Sequence, residues 1–342
     1  MPIEQGEVKP EALIRLGSHH PDSAPNLDSL EDNLRGYLRF NPSGKVYVFL
    51  ENAFYNHQIS QHVTDRVASG YPLSYVLTEM ELAFTYERVP TQEEVLKQVK
   101  RFFCDPKEKF LARETQIIDK LQLQFPDQEG ERRIGVITEA ATDEELQIKE
   151  QARKRYDENV QKSLGYVYNG QFEEGLLPFQ EATLYLAEGI KTREPRMVDK
   201  ICEYLQKDDT IAVIATLGTA HTGVAHGIRR RGFIASYDLV QQESPLYLFQ
   251  PGVTLVRRCA FLGMDSISST EWRQGLIGDA AYDLLEKANN DLKKGLSEQH
   301  MVRMASAFTQ NFTKQEEIDD FERNVRKYGF LESVESISFA NA

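Results

Sequence analysis

Thr210-Ile211-Ala212-Val213-Ile214-Ala215-Thr216-Leu217, running into Gly218-Thr219-Ala220-His221, is the most strand-like stretch of the chain. It is short, almost wholly apolar and closed by a glycine. These are the marks of a strand buried on both faces of a parallel sheet. A second stretch echoes it: Ala12-Leu13-Ile14-Arg15-Leu16 runs into Gly17-Ser18-His19-His20. Both read as an apolar strand, then Gly-x-x-His, then a turn and a helix. A third strand, Lys45-Val46-Tyr47-Val48-Phe49-Leu50, ends at Glu51. Between the second and third, Leu27, Leu30, Leu34 and Leu38 recur at helical spacing, and Asn41-Pro42-Ser43-Gly44 breaks that helix. Residues 12–51 thus form a strand–helix–strand unit of the length expected for βαβ.

Further along, a helix is expected from Asn56 to about Glu87 and another from Thr91, where Thr-Gln-Glu-Glu is a start signal. Arg132–Thr138 reads as a strand, and Asp143–Ser163, dense in both signs of charge, as a long exposed helix. Helices follow over Phe179–Ile190, Pro195–Leu205, Val224–Arg231, 270–298 and 314–328, and Val253–Leu262 holds a strand candidate. The alternation predicts an α/β fold: a mainly parallel or mixed central sheet flanked by helices. We read residues 1–342 as a single domain with a helical insertion over roughly 91–170.

In open α/β sheets the carboxyl ends of the strands form the ligand crevice. If strands 12–16, 46–50 and 211–217 are neighbours, His20, Glu51 and His221 converge there. Two imidazoles and a carboxylate suit a divalent transition metal such as Mn, Co or Zn with open positions. Such a metal lowers the pKa of a bound water and makes hydroxide available for hydrolysis. Alternatively, Glu51 and one histidine act as a metal-free acid and base. Arg193, in Arg193-Glu194-x-x-Met197 ahead of the second His strand, is the candidate to hold a carboxylate or a developing oxyanion. It is equally read as a surface ion-pair partner of Glu194 or Glu188. Gly17 and Gly218 allow the tight turns, and His19, Tyr55 and His57 are candidates for substrate contact. His57 and His62 stand five apart, some 140° around a helix, and make a poor joint ligand pair.

The paired motifs Gly17/His20 and Gly218/His221, Glu51 at a strand end and Arg193 before Met197 resemble one superfamily. It joins the TraB/PrgY pheromone-shutdown proteins, the Tiki metalloproteases, the haem-binding ChaN-type lipoproteins and the erythromycin esterases. The resemblance covers about 12–55 and 190–235. It implies an α/β fold of two halves whose motif residues share one cleft. The activity it implies is peptide or ester hydrolysis, with metal in the Tiki type and a histidine base in the esterases. Haem binding is the ChaN-type alternative.

Composition narrows the classes. Lys plus Arg total 40 against 53 Asp plus Glu, for a formal charge of −13, which argues against a nucleic-acid partner. Hydrophobic residues make up 41%, too many for a disordered acidic chain. The three cysteines, Cys104, Cys202 and Cys259, are far apart and suit free thiols in a reducing compartment. No Gly-x-Ser-x-Gly elbow and no P-loop occur. Without a secretory signal or a membrane-length apolar run, a soluble cytoplasmic protein is expected. Its partner would be a small molecule or peptide, and the acidic surface and long charged helix permit a homo-oligomer.

Overall fold

The computed structural model describes residues 9–17, 24–102, 109–126, 132–218, 221–239, 251–292 and 298–334. The fold is α/β. Among the described residues five strands form one all-parallel sheet: β1 (Glu11–Gly17), β2 (Lys45–Asn56), β3 (Ile134–Ala141), β4 (Thr210–Gly218) and β5 (Ile234–Leu239). Their order is β3-β2-β4-β1-β5. β4 therefore lies between β2 and β1, and the three strands singled out in the sequence are consecutive in the sheet. This placement accounts for the apolar run over Ile211–Leu217: Ala212 to Ala215 and Leu217 are buried, with neighbours on both edges and side chains packed on both faces.

The chain divides into two compact units, Met1–Leu146 with Glu194–Gln241 and Gln147–Arg193 with Gln242–Ala342. The first unit holds the whole sheet. One face of the sheet carries α1 (Ala24–Phe40), α2 (His57–Ala68), α3 (Leu73–Tyr86) and α5 (Lys109–Gln124). There Leu30, Leu34 and Leu38 pack with Val46, Val48, Leu50, Ala212 and Ile214. The other face carries α8 (Gly223–Arg230) and the Met197–Leu205 part of α7 (Phe172–Leu205), against Ala12, Ile14, Leu16, Tyr47, Phe49, Val213, Ala215 and Leu217. The switch of helix-bearing face happens at β4, and in open parallel sheets such a switch opens a crevice at the carboxyl edge.

Several local readings change. The helix expected over 56–87 is two, α2 and α3, because Gly70 adopts a left-handed backbone (φ 96°) ahead of Pro72. The two helices expected over 179–190 and 195–205 are one, α7, running through Pro195. The strand candidate at 253–262 is a helix, α9 (Pro251–Leu262), whose buried Leu255, Val256 and Cys259 lie at helical spacing. The segment 91–170 contains α4 (Gln92–Phe102), α5 and the whole of α6 (Asp143–Tyr168), and it also supplies β3 to the sheet. The second unit is helical, with α9, α10 (Ser269–Leu292), α11 (Glu298–Thr309) and α12 (Gln315–Tyr328) beside the remainder of α6 and α7. Among the described residues no helix is long and apolar enough to cross a membrane.

Two ionisable residues stand out against these cores. Arg15 on β1 is fully buried; its Nη1 donates to Thr216 Oγ1 on β4 (3.0 Å) and its Nε lies 3.9 Å from Asp238 Oδ2 on β5. Burial pulls its pKa down to about 10, against the opposing pull of Asp238 and Glu114, and it stays charged at neutral pH. Ser29 of α1 also donates to Asp238 Oδ2. Arg15 thereby ties three strand ends together. Replacing it with methionine removes the buried charge that faces Asp238 and Glu114, and Arg15→Met is expected to cost about 3 kcal/mol by urea unfolding. In the second unit Asp279 sits in α10 between the buried Ile277 and Ala280, and burial pushes its carboxyl up from 3.8 to about 7. The folded protein thus keeps a proton that the unfolded chain gives up. Its contribution to stability falls as pH rises from about 4 to about 7 and is level above that. Asp279→Asn is expected to melt higher than the parent at pH 8, with the gap closing at pH 4, by thermal unfolding across that range.

Candidate functional site

The site is assembled at the carboxyl edge of the first unit. Along β2, Val46, Val48 and Leu50 face α1 and α5 while Tyr47 and Phe49 face α7 and α8, so the alternation carries Glu51 to the α7/α8 face. The register against β3 shifts just there: Leu50 lies opposite Thr138, and Phe54 opposite Glu139. Glu51, Asn52 and Ala53 are thus interpolated in β2, a bulge of the kind that re-aims a side chain at a strand end. β4 ends beside it. Gly17 of β1 lies directly opposite Gly218 of β4, so the two Gly-ended strands are in matching register.

Glu51 and His221 meet. Gly218 N–H donates to Glu51 Oε2 at 2.6 Å, and Glu51 Oε1 stands 3.3 Å from His221 Nε2. His221 is buried, in the turn that leads into α8. On the other side of its ring, Nδ1 lies 3.7 Å from Glu194 Oε1. Glu194, also buried, comes from α7 and accepts the N–H of Gly223, the first residue of α8, at 3.3 Å. An imidazole therefore stands between a part-buried carboxylate delivered by β2 and a buried one delivered by α7.

A carboxylate oxygen and an imidazole nitrogen are both donor types that a divalent metal accepts. Two ligands bonded at about 2.1 Å to one tetrahedral metal lie about 3.4 Å apart. The 3.3 Å between His221 Nε2 and Glu51 Oε1 matches such an edge. Glu194 on Nδ1 is placed as the outer carboxylate that orients a ligating histidine. Among the described residues no group of three or more His, Cys, Asp and Glu side chains is arranged to hold a metal. His20 was expected to be a third donor; it and His19 lie outside the described residues.

The remaining predicted residues fall as follows. The backbone of Tyr55 continues β2, and its side chain lies outside the described residues. His57 is exposed at the start of α2. Arg193 is half-buried and is the last residue of its segment counted with the second unit, whereas Glu194 belongs to the first. Glu194 itself is the residue that the sequence reading passed over, treating it only as an ion-pair partner for Arg193. Its signal was its place just ahead of the Pro195–Leu205 stretch that leads into the second Gly-x-x-His strand.

No family model, curated protein or solved structure matches this chain. The site therefore stands on its own geometry. Glu51 is a structural acceptor as well as a candidate reactive group: Glu51→Ala removes the partner of the Gly218 N–H and is expected to cost about 2 kcal/mol. Glu51→Gln keeps an oxygen acceptor there, so its unfolding midpoint in urea should stay close to the parent's.

Proposed function

We propose that this protein is a hydrolase that cleaves a peptide or ester bond with an activated water, and that it depends on a divalent transition metal. One observation carries the reading: a carboxylate and an imidazole from separate segments, Glu51 and His221, meet at 3.3 Å on the carboxyl edge of a parallel sheet. His221 and Glu51 would hold the metal, with His20 proposed as the second imidazole. A metal held there supplies Lewis acidity and lowers the pKa of a bound water toward about 7.

The chain's own groups do the rest. Glu51 is fixed through Oε2 by the Gly218 N–H, which leaves Oε1 directed at His221. In the metal-free alternative, that pair would accept the proton released by the attacking water and return it to the leaving oxygen or nitrogen. Burial keeps bulk water from competing for that proton. Arg193 is proposed to orient a substrate carboxylate or oxyanion.

The test combines metal content with turnover. Protein purified without added metal is analysed for bound elements, alongside Glu51→Gln and His221→Ala, and each is screened on peptide and ester substrates. One metal per chain in the parent, lost in the variants, together with a fall in turnover of about 10²-fold or more, is the expected result. Equal turnover by the parent and both folded variants would sink the proposal. A Soret band on haem titration that is absent in His221→Ala, with no hydrolysis by the parent, would replace it with a haem-binding role.

A further inference from the structure

Among the described residues, three backbone groups around His221 are each held by a side chain from a different element. The Gly218 N–H donates to Glu51 of β2 at 2.6 Å, and the Gly223 N–H donates to Glu194 of α7 at 3.3 Å. A Cβ at residue 223 would stand 2.1 Å from Glu194 Oε2, so the seat of that carboxylate needs a glycine. The third tie comes from β5: the Tyr237 hydroxyl donates to the carbonyl of Thr222, the residue directly after His221. Thr222 makes no side-chain cap for α8, so the start of that helix is held by groups from other elements.

Tyr237 is itself well anchored. Ala235 packs on the α7/α8 face of the sheet, and Tyr237, two residues further along β5, points to the same face. Asp238 points the other way, where it lies 3.9 Å from Arg15 Nε and accepts from Ser29. Two consecutive residues thus fix β5 on both faces. Arg229 of α8 stands over the Tyr237 ring, 5.4 Å from its centroid, and its Nε donates to the Ala235 carbonyl at 2.8 Å. The ring is packed by Arg229, and the hydroxyl is left to hold Thr222.

We propose that Tyr237 is a positioning residue: by holding the Thr222 carbonyl it fixes the backbone that carries His221 and so keeps the imidazole against Glu51. The 3.3 Å between His221 and Glu51 is set by where that backbone lies, and a site of this kind loses function when a group moves by about 1 Å. The other two ties are carboxylates beside the ring, and removing either changes the charge around His221 as well as the backbone. The phenol is neutral at physiological pH, so losing its hydroxyl loosens the turn and leaves the charge alone. This rests on the reading that His221 is the imidazole of the site.

Full-length protein, treated with chelator and free of substrate, is compared with Tyr237→Phe by hydrogen exchange read at single amides by NMR. The variant keeps the ring under Arg229 and removes only the hydroxyl. In the parent the Gly218 and Gly223 amides should be protected. In Tyr237→Phe both should exchange roughly threefold to tenfold faster, while Val48 and Ile214 in the sheet core exchange as before. The His221 ring-proton signals, assigned by their loss in His221→Gln, should shift or broaden in the same variant. Unprotected Gly218 and Gly223 amides in the parent would overturn the inference. So would a variant whose amides and ring signals match the parent's. Faster exchange everywhere, core amides included, would make the hydroxyl a general prop of the fold and overturn it too. Because neither metal nor substrate enters the measurement, failure of the hydrolase assay and failure of this inference are told apart.

Discussion

The pairing of β4 on both edges, with β2 on one side and β1 on the other, is the constraint from which the site follows. It aligns Gly17 with Gly218 and sets the end of β2 beside the end of β4. The hydrogen bond from Gly218 N–H to Glu51 then closes the edge. Without β4 in the middle, the acid and the imidazole would belong to separate parts of the sheet. Cores on the two faces hold this order in place, since a slip of one residue in β4 would turn its apolar set from one face to the other.

The two faces of the carboxyl edge are used differently. On the α1/α5 face, Arg15 is paid out to Thr216 and Asp238 and binds strand to strand. On the α7/α8 face, Glu51, His221 and Glu194 form a polar group whose members come from β2, the start of α8 and α7. The first arrangement resembles a clasp: a cation on β1 engages a hydroxyl on β4 and a carboxylate on β5. The second places two like charges around one titratable ring, which is a poor way to gain stability and a good way to set up proton or metal chemistry.

Much of this was legible in the sequence because buried parallel strands announce themselves. β1, β2 and β4 are apolar runs ended by Gly or Glu, and the echo of Gly-x-x-His pointed to equivalent strand ends. The strand order was not legible, because pairing between distant segments leaves no local trace. β5 was missed for a physical reason. Ile234–Leu239 is paired on one edge only, Ile234 and Tyr237 are exposed, and Asp238 interrupts the apolar pattern. At 253–262 the β-branched residues suggested a strand, but burial at Leu255, Val256 and Cys259 follows a helix. Glu194 escaped notice because its importance depends on the missing side chain of Gly223, a relation between two elements that neither segment displays alone.

The sheet order also fixes a sequence of events during folding. β1 and β2 are synthesised early but never touch as partners; the strand that joins them begins only at Thr210, after the whole of Gln147–Arg193 has been laid down. Until then β2 can pair only with β3. The centre of the sheet is therefore completed only when β4 is made, and β5 is added to its edge after that.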